Sequence, residues 1–203
     1  MHSIGPASLL ILVVNIGLGL YGLFAAPRLI ERCVFRPYDF ARGRNRITAL
    51  TSGFVHADLP HLIFNMLSFW FFGPQLERRI GTVAFVLLYL VGLFASEIGS
   101  YLKHRNDPQY ATLGASGAIS AVLFAAIVYF PTMSLFIIPI PVPIPAPLFA
   151  VGYLVYSWWS ARQSRGRVNH DAHFGGALAG LAFVALLDPR SFQRALALIS
   201  GGG

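Results

Sequence analysis

The stretch Leu113-Gly-Ala-Ser-Gly-Ala-Ile-Ser-Ala-Val-Leu-Phe-Ala-Ala-Ile-Val-Tyr-Phe130 runs for 18 residues without a charged side chain. A helix that crosses a bilayer needs about 20 predominantly apolar residues. The rest of the 203-residue chain has the same character, since 56% of its residues are hydrophobic, 11% are charged and the mean hydropathy is +0.64. Soluble domains carry about 25% charged residues. The composition therefore predicts an integral, multi-pass membrane protein.

Six apolar segments predict one all-α membrane domain over residues 1–203, a bundle of six transmembrane helices. Charges or prolines end the segments, as at Glu77-Arg78-Arg79 and Asp188-Pro189. The predicted spans are residues 4–26, 61–76, 82–101, 113–130, 148–161 and 172–187. Before the fifth span, Pro occupies every second position from Pro139 to Pro147. This spacing removes backbone donors and predicts an extended apolar connector.

The net charge of +7 does not indicate nucleic-acid binding. Its Arg residues lie in short loops between apolar segments, where anionic lipid head groups are the expected partners. The single Cys33 cannot form an internal disulfide. Residues 4–26 lack the basic start of a signal peptide and are interpreted as the first span.

Five polar residues lie at the starts of three alternate spans. His61 and Asn65 begin the second span, Ser116 begins the fourth, and His170 and His173 begin the sixth. In a chain that crosses six times, these starts lie on the same side of the membrane. Polar groups in a bilayer face the protein interior or a wet cavity, so their convergence predicts a functional site.

Ser116 and His173 are the candidate nucleophile and base. Gly114 and Gly117 flank Ser116 and allow close approach, although a serine among small residues is also typical of helix packing. Imidazole titrates near neutral pH and can accept the serine proton, although an interfacial histidine that caps a helix is the plain alternative. Asp171 is two positions from His173 and does not share its helix face. Glu97 is a possible orienting carboxylate or a structural one.

The spacing of two glycines supports a close approach of the sixth span to another helix. Gly176 and Gly180 form a Gly-x-x-x-Gly pattern, which is typical of tightly packed membrane helices. His61 and Asn65 are four residues apart and project from one helix face, so they are candidate oxyanion donors. Interhelical hydrogen bonds that only join the second span to its neighbours are the alternative.

Together, the motifs His61-x-x-x-Asn65, Gly114-x-Ser116-Gly117 and Ala172-His173-x-x-Gly176-x-x-x-Gly180 resemble those of the rhomboid intramembrane proteases. The resemblance covers about residues 51–187. It implies a six-helix fold in which Ser116 attacks a peptide bond and His173 transfers the proton. His61, Asn65 and the Ser116 backbone N–H would then hold the oxyanion. It further implies transmembrane proteins as substrates, no metal and no cofactor, and a bacterial inner membrane is the expected location.

The chain departs from the family pattern at two points. Some family members carry a Tyr four residues after the nucleophile that stacks on the catalytic His, whereas this chain has Ser120. The loops on the predicted site side hold 11 Lys and Arg residues, against four on the other side. The positive-inside rule then predicts a cytoplasmic site, whereas the family resemblance implies an external one.

Three other classes of function compete with a serine protease. A non-catalytic rhomboid-like protein that binds transmembrane clients would lack the Ser or the His. A metal-dependent membrane hydrolase could use His56, His61, His170 and His173, but no His-Glu-x-x-His motif accompanies them. A channel or transporter is disfavoured because no charged pathway crosses the spans. The sequence does not determine the oligomeric state.

Overall fold

The computed structural model describes residues 4–137, 140–163 and 169–201, without the side chains of residues 140 and 141. The predicted connector residue Pro139 and the basic residues Arg165 and Arg167 after the fifth span lie outside the described residues. The described chain is mainly helical, with one small antiparallel sheet. Its α-helices are α1 (Pro6–Phe24), α2 (Pro27–Cys33), α3 (Pro37–Ala41), α4 (Thr48–Thr51), α5 (Leu59–Ile80), α6 (Thr82–His104), α7 (Ser116–Tyr129), α8 (Ala146–Gln163), α9 (His170–Leu187) and α10 (Arg190–Ile199). The strands are β1 (Ser134–Ile137) and β2 (Ile140–Pro145).

Each of the six predicted spans coincides with a helix, namely α1, α5, α6, α7, α8 and α9. Within the described residues, three of these helices are long and apolar enough to cross a membrane: α1, α6 and α9. α7 is apolar but only 14 residues long. The structure thus shows a mainly helical chain with three helices that could cross a membrane, and six crossings are a proposal.

Helix α7 forms the centre of the bundle. Eleven of its 14 residues are buried, and α5, α6 and α9 pack around it. Most of its buried side chains are small, so neighbouring backbones approach closely. A short helix that is buried on all sides does not need the length of a lipid-facing span.

Helix α7 begins three residues later than the predicted span. Gly114 has a φ of +114°, which favours glycine, and its N–H donates to the Ser52 carbonyl at 2.9 Å. Leu113 to Ala115 therefore form a loop, and Ser116 is the first helical residue.

The proline-rich connector is extended over residues 140–145, as predicted. It also pairs with β1 in an antiparallel hairpin, with Ser134 opposite Pro145. The predicted connector is wrong at its end, because Ala146 and Pro147 belong to the first turn of α8. Proline is tolerated there, since the first N–H groups of a helix have no partner within the helix.

Glu77 joins the first helix to the rest of the bundle. Its carboxylate accepts hydrogen bonds from the backbone N–H groups of Ala7 (3.1 Å) and Ser8 (2.8 Å), and from the Thr82 hydroxyl (2.9 Å). The side chain thus caps the N-terminus of α1 from the end of α5 and also binds the start of α6.

Candidate active site

Ser116 occupies the first position of α7. The first N–H groups of an α-helix lack partners within the helix, so those of Ser116 and Gly117 are free to bind an oxyanion. Ser116 is partly exposed, although most of α7 is buried. The loop before it presents the hydroxyl at the end of the central helix.

His173 lies in the first turn of α9, which Asn169 caps. The Asn169 Oδ1 accepts a hydrogen bond from the Ala172 N–H at 3.0 Å. Its Nδ2 donates to the Ser100 hydroxyl at 2.8 Å and to the Thr112 hydroxyl at 2.9 Å. One side chain therefore fixes the start of α9 to the end of α6 and to the loop that precedes Ser116.

Backbone contacts bring the starts of α7 and α9 together. A Cβ added to Gly176 would overlap the carbonyl oxygen of Gly117, and one added to Gly180 would overlap that of Ala121. Ser116 and His173 lie within one turn of the first contact. In the described residues no hydrogen bond joins the Ser116 hydroxyl to the His173 ring, and the contact between Gly176 and Gly117 is what relates the two positions. Such bonds often tighten only when substrate binds.

His61 lies beside the loop before Ser116. A Cβ on Gly114 would come within 2.8 Å of the His61 Nε2, so the imidazole covers the Gly114 backbone. Asn65 is buried, and its Nδ2 donates to the His61 carbonyl at 2.9 Å. One amide hydrogen of Asn65 is thus used within its own helix, and the other is available as a donor.

In the described residues, neither of the two carboxylates considered as partners of His173 is hydrogen-bonded to its ring. Asp171 pairs with the Lys103 ammonium at 3.2 Å. Glu97 of α6 is buried and lines a groove with Phe35 and Phe40. The sequence did not point to Tyr153 of α8, whose ring stacks on the His173 ring. An aromatic residue in an apolar segment is typical of a lipid-facing position, so only the packing identifies it.

The four histidines form two neighbouring pairs. His56 contacts His61 edge to face at a centroid distance of 5.2 Å, and His170 contacts His173 in the same way at 6.1 Å. Burial lowers the pKa of His56 to about 4, so its ring is neutral at physiological pH. Among residues 4–137, 140–163 and 169–201, no three His, Cys, Asp or Glu side chains are grouped as metal ligands. The described geometry does not support the four-histidine metal site.

A family model of the rhomboid domain matches residues 44–190, which is more than half of the chain. The chain belongs to the rhomboid family. The matched region contains α5 to α9 and all candidate site residues. The first helix α1 lies outside it.

Rhomboid relatives come from both mitochondria and bacteria. The mitochondrial Rhomboid protein 1 of Saccharomyces cerevisiae is 28% identical over 190 residues, which cover 88% of this chain and 53% of that protein. The Rhomboid protease GlpG of Photorhabdus laumondii is 27% identical over 193 residues, covering 92% and 62%. The human mitochondrial presenilin-associated rhomboid-like protein is 32% identical over 145 residues, covering 66% and 36%.

The chain spans about half the length of the curated relatives it matches. Their mixed origins do not support the bacterial inner membrane that we expected from the sequence. The apolar helices and the rhomboid domain identify the chain as an integral membrane protein, and some of its relatives are named proteases.

Proposed function

We propose that this protein is an intramembrane serine protease that hydrolyses peptide bonds in or near transmembrane segments of other membrane proteins. The observation that carries the proposal is the backbone contact between Gly117 and Gly176, because the candidate nucleophile and the candidate base each lie within one helical turn of it. Membership of a family that includes named proteases supports the same reaction.

In the proposed reaction, the Ser116 hydroxyl oxygen attacks the substrate carbonyl carbon while His173 accepts the hydroxyl proton. The tetrahedral intermediate collapses, the C–N bond breaks, and His173 gives the proton to the departing amine. A water molecule then attacks the acyl ester with His173 again as base. The second tetrahedral intermediate then collapses, which releases the carboxylic acid, and His173 returns the proton to the Ser116 oxygen.

The developing negative charge on the carbonyl oxygen needs donors. The Ser116 N–H is unpaired within α7, and His61 and Asn65 lie on the neighbouring helix α5 with N–H groups to offer. Donors that are fixed before the reaction stabilise the transition state without a reorganisation cost. We propose that these three groups form the oxyanion hole.

We further propose that a single rhomboid-like domain over residues 1–203 has six transmembrane helices, namely α1, α5, α6, α7, α8 and α9. Gly114, Gly117, Gly176 and Gly180 keep the helices close enough for the dyad to form and leave room for substrate beside Ser116. The reaction uses transmembrane protein substrates within the lipid bilayer and requires no metal or cofactor.

Purified wild-type, Ser116→Ala and His173→Ala proteins, each incubated with a single-span substrate with and without EDTA, test the proposal. We expect the wild-type protein to cleave in both conditions and the two variants to be inactive while folded. A serine-directed fluorophosphonate should label Ser116 only when His173 is present. Cleavage by the Ser116→Ala protein, or loss of wild-type cleavage in EDTA that zinc restores, would contradict the dyad. A wild-type protein that binds the substrate without cutting it would favour the non-catalytic class.

A further inference from the structure

The ring of Tyr153 in α8 lies nearly parallel to the imidazole of His173 in α9. The ring centroids are 6.2 Å apart and the planes are inclined by 19°. This distance lies within the range of favourable offset aromatic pairs, which is about 4.5–7 Å. The contact connects the candidate base to a helix that contributes no other candidate site residue.

Tyr153 is itself held in place from two helices. Its ring stacks on Phe149, one turn earlier in α8, at 5.5 Å and 28°. It also contacts Phe124 of α7 at 5.6 Å. The Tyr153 hydroxyl lies 3.4 Å from the hydroxyl of Ser120, which is one turn after Ser116 in α7. A ring that is fixed by α7 and α8 can restrict a ring of α9 that packs on it.

His173 needs such a restraint. In the described residues its ring makes no hydrogen bond, and Asp171 is paired with Lys103. A general base must point a ring nitrogen at the proton that it removes, within hydrogen-bond reach. An imidazole without an orienting carboxylate is free to turn about its side-chain bonds unless packing prevents it.

We infer that Tyr153 is the positioning residue of His173, so that an aromatic ring on α8 supplies the restraint that the small Ser120 on α7 cannot. The inference rests on the proposed function, because it concerns the base of that reaction. Tyr153 does not touch the reacting atoms; it limits the rotation of the imidazole. Its hydroxyl contributes less than its ring, since the contact with His173 is made by the ring face.

The test compares Tyr153→Leu, Tyr153→Phe and a matched control, Tyr156→Leu. Tyr156 lies on the same helix, is exposed, and contacts His170 rather than His173. We expect Tyr153→Leu to lower kcat by about 10- to 100-fold with little change in KM, because a misplaced base reacts slowly with bound substrate. The rate of fluorophosphonate labelling at Ser116 should fall in parallel. Tyr153→Phe should stay within about threefold of the wild-type protein, because the stacked ring is kept.

A further variant moves the aromatic ring from α8 to α7. In the double variant Ser120→Tyr/Tyr153→Leu, the new side chain can enter the space that Tyr153 leaves, because the two side chains contact each other. Recovery of kcat and of fluorophosphonate labelling in this variant would support positioning by a ring.

A Tyr153→Leu protein with wild-type kcat would overturn the inference. An equal loss of kcat in Tyr156→Leu would also overturn it. The same holds if the loss in Tyr153→Leu appears only in KM or follows the loss of thermal stability. Failure of the proposed function is distinct, because the wild-type protein would then neither cleave nor label at Ser116.

Discussion

The α-carbon of Gly176 lies directly against the carbonyl oxygen of Gly117, with no space for a methyl group between them. This contact joins the helix of the candidate base to the helix of the candidate nucleophile. Small residues at such crossings allow backbones to meet, and a larger side chain pushes them apart.

Gly176→Val should therefore reduce both stability and activity, by more than tenfold in kcat/KM, because it separates α9 from α7. Gly17→Val in α1 is the matched control, since a Cβ at Gly17 meets no atom within 4 Å. Thermal unfolding in detergent and cleavage of a single-span substrate give the two readouts. Equal thermal stability and equal cleavage in the two variants would contradict a tight contact between α7 and α9.

Replacing the candidate oxyanion donors should separate chemistry from binding. We expect His61→Ala and Asn65→Ala each to lower kcat by about 10²- to 10³-fold without weakening substrate binding, because these donors act on the transition state. Phe64→Ala, on the exposed side of the same helix, is the control. If the losses occurred mainly in KM, or followed thermal stability, His61 and Asn65 would be helix-joining residues instead.

Variants of Asn169 can separate its capping of α9 from its hydrogen bonds to Ser100 and Thr112. Asn169→Ala removes three hydrogen bonds and should lower the free energy of unfolding by about 2 kcal/mol, with a loss of activity. Asn169→Asp keeps the acceptor that caps α9 but loses the donors to Ser100 and Thr112. We expect this variant to recover part of the stability and little of the activity, as measured by thermal unfolding and substrate cleavage. Full activity in Asn169→Asp would contradict a role for these two hydrogen bonds in activity.

The Glu77 carboxylate should contribute strongly to stability and little to the reaction itself. Glu77→Ala leaves two N–H groups of α1 and the Thr82 hydroxyl without their acceptor. We expect it to lower the unfolding free energy by about 2–3 kcal/mol, since hydrogen bonds to charged groups are stronger than neutral ones. Gln75→Ala, two residues earlier and exposed, should be nearly neutral. Equal melting temperatures of the two variants would exclude a capping role.

The orientation in the membrane can be read from Cys33, the single cysteine, which is partly exposed in the segment before the site. In sealed right-side-out vesicles, a membrane-impermeant maleimide should label Cys33 if the site faces outward, as family resemblance implies. Labelling only after permeabilisation would favour the cytoplasmic site that the 11-to-4 charge distribution predicts. A protein with Cys at position 44, where Arg44 is exposed, controls for a shielded thiol.

The sequence located the long apolar helices because a run without charges constrains the backbone locally. It did not predict α10, where short apolar and basic segments alternate, nor the pairing of β1 with β2, which depends on residues that are apart in the chain. Gly114 shows the limit in detail. Its positive φ moves the helix start to Ser116, and no hydrophobicity pattern carries that information.

The site could be predicted in part, because its three motifs lie at the starts of alternate predicted spans. The glycines after His173 indicated a close helix crossing, and the structure places that crossing against Gly117. Tyr153 and Asn169 were not predictable, because each acts through partners on other helices. The chemical roles of Ser116 and His173 stay predictions until the variants are assayed.

The carboxylate of Glu77 belongs to the family-matched region, but the helix end that it binds does not. A chain shortened to residues 44–190 would expose a carboxylate at the end of α5 that has lost two of its donors. Hydrogen bonds to charged groups stabilise a fold by about 1.5–3 kcal/mol each, so their loss lowers the stability of the shortened chain. The smallest unit of this chain that folds on its own should therefore extend beyond residues 44–190, with α1 as an integral part of it.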